Sequence, residues 1–292
     1  MAHSISRTVR PWYKSRRGIV LLFLACLALY LSIQTPSNGG PWRNDHEKSV
    51  YAELSGRSVT LHNIRNFRHD DSQPVDGKEY FSKTWNLDEI ERIWFGLSHF
   101  GSYGLAHSFL SMEFSNGEYL GISIEARMRP GQVYRPLMGL FRRYSKIYVA
   151  ATEQDVIGVR SHQRGEKVLL YPVSGTREDA ERFFLALIND ANSVYQTPEF
   201  YNTILDNCLT NLIKHGVRMS EVSAADIRVL LPGHTDRLTY ALGITPDDIT
   251  FESARQRALI DPTLGGIDHP DFSAIIRCGW SDYSGLNFPA CR

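Results

Sequence analysis

Between Gly18 and Ile33 the sequence runs GIVLLFLACLALYLSI without a single charge. A helix of these residues satisfies its own backbone and carries no polar group to desolvate, so a bilayer core suits it. At about 1.5 Å per residue the run spans roughly 24 Å, slightly short of a ~30 Å hydrocarbon layer. Trp12, Tyr13 and Tyr30 sit near its ends, where aromatic rings prefer the interface. Arg7, Arg10, Lys14, Arg16 and Arg17 all lie upstream. That asymmetry predicts a cytoplasmic N-terminus and an exported remainder. A cleaved signal peptide is the rival reading, but Ser32-Ile33-Gln34 is a poor cleavage site and the run is long for an h-region. A lipidated Cys26 fits less well, because the apolar run continues through Ala28, Leu29 and Leu31.

The chain divides accordingly. Residues 1–17 are read as a cytoplasmic N-terminus, 18–33 as a transmembrane anchor and 34–54 as a flexible linker rich in Pro, Ser, Gly and Asn. Residues 55–276 form the ectodomain and 277–292 a C-terminal tail. Lys plus Arg and Asp plus Glu both number 32, so the basic excess of a generic nucleic-acid binder is missing. The hydrophobic fraction of 42% excludes wholesale disorder. Export changes how the four cysteines read. Cys278 and Cys291 are close enough in sequence to close a small loop in an oxidising compartment. Cys26 belongs to the anchor, which leaves Cys208 as an exported thiol without a partner. The cysteines lack paired CxxC spacing, and P-loop, HExxH, GxSxG and GxGxxG motifs are missing, so neither metal nor cofactor is expected.

Strand-like composition appears at Ser58–Ile64, Glu91–Phe95, Lys146–Ala151 and Lys167–Val173. The clearest hairpin joins His107–Phe114 to Glu118–Glu125 through Ser115-Asn116-Gly117. Thr176 and Asp179 resemble a capping pair. Behind them Ala180, Phe183, Phe184, Leu187, Ile188 and Ala191 recur at helical spacing. A second helix is predicted from Cys208 through Leu209, Leu212 and Ile213 to a stop near Gly216. Strands followed by helices imply an α+β domain with an antiparallel sheet.

Asp206 and Asn207 are good N-cap types, which would place Cys208 at the first turn of that helix. Free amides and the helix dipole there favour thiolate and can bind an oxyanion; a small buried core cysteine is the plain alternative. His107, at a strand end after a glycine-rich turn, is the candidate base. The turn decides what faces it. A two-residue Asn116-Gly117 turn pairs His107 with Ala126. A three-residue loop with Gly117 in the left-handed region pairs Phe114 with Glu118 and sets His107 opposite Glu125. Glycine in third place suits the second arrangement. Glu125 would then orient the imidazole, unless it pairs with Arg127; Ser123, on the same face, is the weaker orienter. His162 and Arg164, in an expected polar loop over Arg160–Glu166, and Arg127, Arg129 and Arg135 are candidate anion contacts. His234-Thr235-Asp236 has no nucleophile beside it in sequence.

The stretches His107–Phe114, Ile122–Arg127, Tyr201-Asn202-Thr203 with Asn207-Cys208, Glu153–Ile157 with Arg160, and Leu231-Pro232-Gly233 together resemble one family. This is the bacterial domain named for the N-terminal periplasmic part of Lnb, the lipoprotein intramolecular N-acyltransferase. The likeness runs in order from about Val59 to Ile276. It implies a papain-like, NlpC-type fold in permuted order, histidine before cysteine, with Cys208 as nucleophile, His107 as base and Glu125 at a matching motif position. Together with the one apolar run and its basic flank, it implies a single-pass protein of the bacterial inner membrane with its catalytic domain in the periplasm. The acyltransferase architecture carries further membrane helices, whereas one apolar span is visible here, so fold and dyad carry over ahead of the N-acyl transfer itself. The expected activity is thiol acyl transfer, as acyltransferase or hydrolase, on a lipid or lipoprotein. Asn207, Ser123, Arg127 and Tyr201 are the candidate substrate contacts. A peptidoglycan amidase or peptidase, and a non-catalytic anchored binding ectodomain, are the alternatives.

Overall fold

The hairpin register is the element that positions everything else. In a computed structural model, which describes residues 16–67, 69–70, 73–74, 80–100, 104–215 and 232–291, the Phe114 amide donates to the Glu118 carbonyl at 3.0 Å and the Gly117 amide to Phe114 at 2.9 Å. Gly117 has φ +83°, left-handed backbone that glycine enters without a Cβ penalty. The three-residue loop is therefore the one formed. Pairing runs from Glu113–Tyr119 to Phe109–Ser123, and the same count sets His107 opposite Glu125.

The strands are β1 (Tyr51–Ser55), β2 (Ser58–Arg65), β3 (Tyr80–Asn86), β4 (Ile90–His99), β5 (Ala106–Phe114), β6 (Tyr119–Arg127), β7 (Ser145–Ala151) and β8 (Lys167–Pro172). They form one sheet in the order β1-β2-β7-β6-β5-β4-β8, with β3 also paired to β2. Neighbours are antiparallel apart from one parallel contact between Arg65 and Ala151. The α+β expectation holds. The expected strand stretches all appear, most with ends moved by a residue or two, and Glu91–Phe95 extends to His99. Strands β1 and β3 were not expected. In β3 the sequence YFSKTWN is polar-rich, and only Trp85 is buried.

Helix α1 (Arg16–Ile33) has 18 residues and a mean hydropathy of 1.9, long and apolar enough to cross a membrane. Most of its apolar side chains are exposed, Phe23 and Leu21 among them. The stretch after it is not a free linker. Asp45 and His46 are buried; Arg65 donates to the Asp45 carbonyl at 2.6 Å, and Arg127 to the carbonyls of His46 at 2.9 Å and Glu47 at 2.7 Å. Pro, Gly, Ser and Asn here mark irregular backbone, and buried guanidinium groups pin it.

Helix α2 (Arg177–Gln196) starts at the expected capping pair: the Asp179 amide donates to Thr176 Oγ1 at 3.2 Å, and the Thr176 amide to the Asp179 carboxylate at 3.0 Å. Its buried face of Ala180, Phe184, Leu187, Ile188, Ala191 and Val194 covers the sheet. Helix α3 (Cys208–His215) packs on β5 and β6; the expected stop at Gly216 lies outside the described residues. Short helices follow, among them α4 (Thr235–Ala241) and α5 (Phe251–Ala258). The C-terminal stretch is no loose tail. Arg277 and Trp280 are fully buried, Trp280 Nε1 donates to the Leu170 carbonyl at 2.8 Å, and Cys278 is bonded to Cys291.

The expected loop over Arg160–Glu166 is mostly a π-helix, Gln154–Gln163. Such wide turns are uncommon and concentrate at functional sites. Buried carboxylates anchor it at its N-terminal end. Glu153 takes Arg277 in a fork at 2.6 and 2.9 Å. Asp155 takes Arg65 at 2.7 Å and the Phe67 amide at 2.6 Å. The helix then delivers Arg160, 8% exposed, to the hairpin.

Candidate active site

Cys208 is the first residue of α3, and Asn207 puts it there. Asn207 Oδ1 accepts the Leu209 and Thr210 amides, both at 2.9 Å, while its Nδ2 donates to the Thr203 carbonyl at 2.6 Å. Every polar atom of that side chain is used in the cap, so Asn207 positions the turn. Lys146 steadies the preceding loop through Glu199 at 2.7 Å and Asp206 at 2.8 Å. The Cys208 thiol is free and buried.

A cavity of about 420 Å3 brings Cys208 together with His107, Glu125, Tyr201, Arg160 and Arg164. Pairing between β5 and β6 ends at Phe109–Ser123. The strands part there, and the Ser108 backbone amide turns to the Cys208 sulfur. Burial raises the thiol pKa, partly offset by the Ser108 and Leu209 amides; the Glu125 charge raises it further and the Tyr201 hydroxyl lowers it. The expected depression at the helix N-terminus is thus reversed: desolvation of the sulfur outweighs the amides around it. At rest the site holds a neutral thiol.

His107 Nε2 lies 2.7 Å from Ser123 Oγ, which lies 2.8 Å from Glu125 Oε1. A carboxylate only accepts, so the Ser123 hydroxyl donates to Glu125 and accepts from His107 Nε2–H. The tautomer follows: Nδ1 keeps the lone pair and is the basic nitrogen. Burial and the nearby Arg160 charge pull the imidazole down to about 3, against the opposing charge of Glu125. Ser123, 1% exposed, therefore stands directly between the ring and the carboxylate. The cavity wall omits it, and its hydroxyl is taken up between His107 and Glu125.

Glu125 is held from two further sides. Arg160 Nη2 donates at 3.1 Å and His46 Nε2 lies at 2.9 Å from its carboxylate. Burial alone would raise the Glu125 pKa; the His46 hydrogen bond and the charges of Arg160 and Arg65 hold it well below the usual carboxylate range. The pair weighed between Glu125 and Arg127 does not form. Arg127 is buried with its guanidinium bound to Asn38 and the carbonyls of His46 and Glu47, stacked 4.7 Å from the Trp42 ring. Burial pulls it down to about 10. It ties down the anchor-side segment and does not line the cavity.

Tyr201 does line it, 6% exposed, with its hydroxyl against Cys208 and Tyr134. Burial raises its pKa well above the ordinary phenol range, so it stays a hydroxyl donor. Arg164 also reaches the cavity; its contact to Glu166 is 3.8 Å. His162 turns away, with Nε2 3.0 Å from the Gly265 carbonyl and Nδ1 2.7 Å from Ser161 Oγ. His234-Thr235-Asp236 forms the start of α4, where Thr235 Oγ1 donates to the Pro232 carbonyl at 2.7 Å; Leu231 lies outside the described residues. Among the described residues, no group of three or more His, Cys, Asp and Glu side chains is arranged to hold a metal ion.

The sequence signals neither Arg160 nor His46 as part of the site. Arg160 sits in a stretch of loop-like composition, and its helix carries no amphipathic pattern to show the buried side. His46 fell in the stretch read as linker. A lone histidine between charged neighbours has no signature of burial.

The family model of the Lnb N-terminal periplasmic domain matches residues 77–233. No curated protein and no solved structure matches the chain. The matched residues include Cys208, His107, Ser123, Glu125, Arg160 and Tyr201; His46 and Arg65 lie before them.

Proposed function

We propose, from the premise that this chain belongs to the Lnb N-terminal periplasmic domain family, that it is a membrane-anchored thiol acyl-transfer enzyme. The observation carrying the reading is that His107 and Glu125, joined through the Ser123 hydroxyl behind them, line the same cavity as the Cys208 thiol. The arrangement is papain-like in permuted order: a sheet presenting histidine precedes a helix presenting cysteine. Helix α1 tethers the domain to the periplasmic side of the membrane, with the N-terminus in the cytoplasm. The substrate is a lipid or lipoprotein ester.

His107 Nδ1 takes the Cys208 proton as the sulfur attacks the ester carbonyl carbon. The carbonyl π pair moves to oxygen, and Tyr201 donates a hydrogen bond to that oxyanion. Collapse breaks the carbon–oxygen ester bond, and the leaving alkoxide takes the proton from the imidazolium. A thioester on Cys208 remains. An amine or water then adds to the thioester carbonyl, losing a proton to His107. The carbon–sulfur bond breaks, and the departing thiolate recovers that proton. Glu125 stays ionised throughout; through Ser123 it fixes the ring and stabilises its charged form. A neutral resting pair suits this sequence, because charge appears only as substrate reacts.

The test is acid-quench mass spectrometry of the full-length protein in detergent micelles after incubation with diacylated lipopeptide or phospholipid. An acyl mass on the Cys208 peptide, lost in Cys208→Ala and in His107→Gln, supports the reading. Acylation that persists without His107, or release of fragments from peptidoglycan sacculi with no lipid turnover, overturns it.

A further inference from the structure

His46 sits in the segment joining α1 to the sheet, before the family-matched residues. It is 2% exposed. Its Nδ1 accepts the Met128 backbone amide at 2.8 Å. In the neutral ring the other nitrogen must then carry the proton, and that Nε2–H points at Glu125 Oε2 from 2.9 Å. The two oxygens of Glu125 are thus divided: Oε1 serves Ser123 and Arg160, and Oε2 serves His46. Asp45 and Arg43 also approach the ring, at 3.9 and 3.4 Å. The neighbouring backbone leaves His46 little freedom. Arg65 holds the Asp45 carbonyl, and Arg127 holds those of His46 and Glu47. Two buried arginines from the sheet are therefore spent on fixing one short segment beside the site. A bound carboxylate with one oxygen unpartnered would be free to swing between Ser123 and solvent in the cavity; His46 removes that freedom.

We propose that His46 is a positioning residue of this site, so that the segment following the membrane anchor completes the relay that orients His107. The proposal rests on the reading of Cys208 and His107 as a reacting pair. It gives the anchor-proximal chain a part in the chemistry: pulling that segment off the sheet would withdraw a donor from Glu125 and loosen the imidazole. Outer hydrogen-bond partners of metal-bound histidines change activity by about 10- to 100-fold when removed, and a change of that order is expected for the donor to Glu125.

The probe is iodoacetamide, with alkylation of the Cys208 peptide followed by mass spectrometry in full-length protein in detergent, Cys26 being resolved as a separate peptide. His46→Phe keeps a planar ring but loses the donor, and is expected to slow Cys208 alkylation about tenfold. His46→Gln places an amide N–H near the old Nε2 and is expected to recover most of that rate. His107→Gln is expected to slow alkylation at least as much as His46→Phe. Thermal transitions of all variants are recorded alongside, and rates are compared below them. An unchanged rate in His46→Phe, with His107→Gln slow, overturns the role of His46. Equal slowing in His46→Phe and His46→Gln overturns it too, because bulk packing would then be the cause. An unchanged rate in His107→Gln overturns the paired reading beneath it.

Discussion

His107 and Glu125 face each other across the β5–β6 hairpin with 3.7 Å between Nε2 and Oε1. That gap is too long for a good hydrogen bond, and the Ser123 hydroxyl fills it. The spacing follows from one turn residue. Gly117, at φ +83°, sets a three-residue loop, and a two-residue loop would have paired His107 with Ala126 and turned Glu125 to the other side of the sheet. The geometry of the site therefore begins in a turn at the far end of the hairpin.

Ser123→Ala tests the relay directly. Removing the hydroxyl leaves His107 Nε2–H and Glu125 Oε1 without their partner while adding no bulk. Turnover of acyl substrate is expected to fall about 10- to 100-fold with KM little changed. Ser123→Thr, which restores a hydroxyl, is expected to recover part of it. Equal kcat in wild type and Ser123→Ala would show that the ring is oriented by something else.

Stability should depend on pH through His107. Its folded pKa is lowered from 6.5 to about 3 by burial and by Arg160. The unfolded chain takes up a proton below pH 6.5 while the native ring stays neutral, so stability falls as the solution is acidified from 6.5 towards 3. This one residue contributes a slope of roughly 1.4 kcal/mol per pH unit. Burial also lowers His99 and His162, which steepens the wild-type slope. Urea denaturation at pH 6.5 and 5 is expected to show a smaller loss in His107→Gln than in the wild type. Above that window Cys208 acts in the opposite sense: its raised pKa gives stability that is present below pH 9 and lost as pH rises.

The sequence spoke clearly where a local pattern has a single physical cause. Alternation and Ser115-Asn116-Gly117 determine the hairpin, Thr176 and Asp179 the start of α2, and Asn207 the turn bearing Cys208. What it concealed is non-local. Whether Arg127 meets Glu125 or the carbonyls of His46 and Glu47 depends on a segment eighty residues earlier. The composition of that segment signals only irregular backbone. Cys208 shows the same limit: the helix N-terminus was legible, but the burial that reverses its effect on the thiol depends on β5, Tyr201 and the cavity shape. Trp280 and Arg277 read as tail because their partners, Leu170 and Glu153, lie more than a hundred residues away.

Gly96 pairs with Phe109 across β4 and β5, and a Cβ there would lie 2.0 Å from the Phe109 ring. The ring is fully buried, its centroid is 6.5 Å from that of His107, and Arg160 stacks 5.9 Å from it. Gly96→Ala must displace this ring, which neighbours the relay. A loss of about 1–3 kcal/mol in denaturant titration is expected, together with slower Cys208 acylation. Gly96→Ala/Phe109→Leu is expected to recover part of both, a coupling that an additive pair would not show.

The buried fork between Glu153 and Arg277 joins the π-helix to the C-terminal segment, and Ser111 on β5 completes it through hydrogen bonds to both. Both side chains are almost entirely inaccessible, and Arg277 lies 3.9 Å over the Tyr119 ring. Breaking such a pair on one side strands a charge away from water, which costs about 3–5 kcal/mol, whereas replacing both partners with uncharged groups of similar volume is close to neutral. Glu153→Gln is therefore expected to lower stability by about 3 kcal/mol or more, and Glu153→Gln/Arg277→Met to lie much nearer the wild type. Because the π-helix carries Arg160 to Glu125, the single variant is also expected to slow Cys208 acylation. Calorimetry and acylation rates on the two variants would separate these effects, since a pair that only adds stability would leave the rate of still-folded Glu153→Gln unchanged.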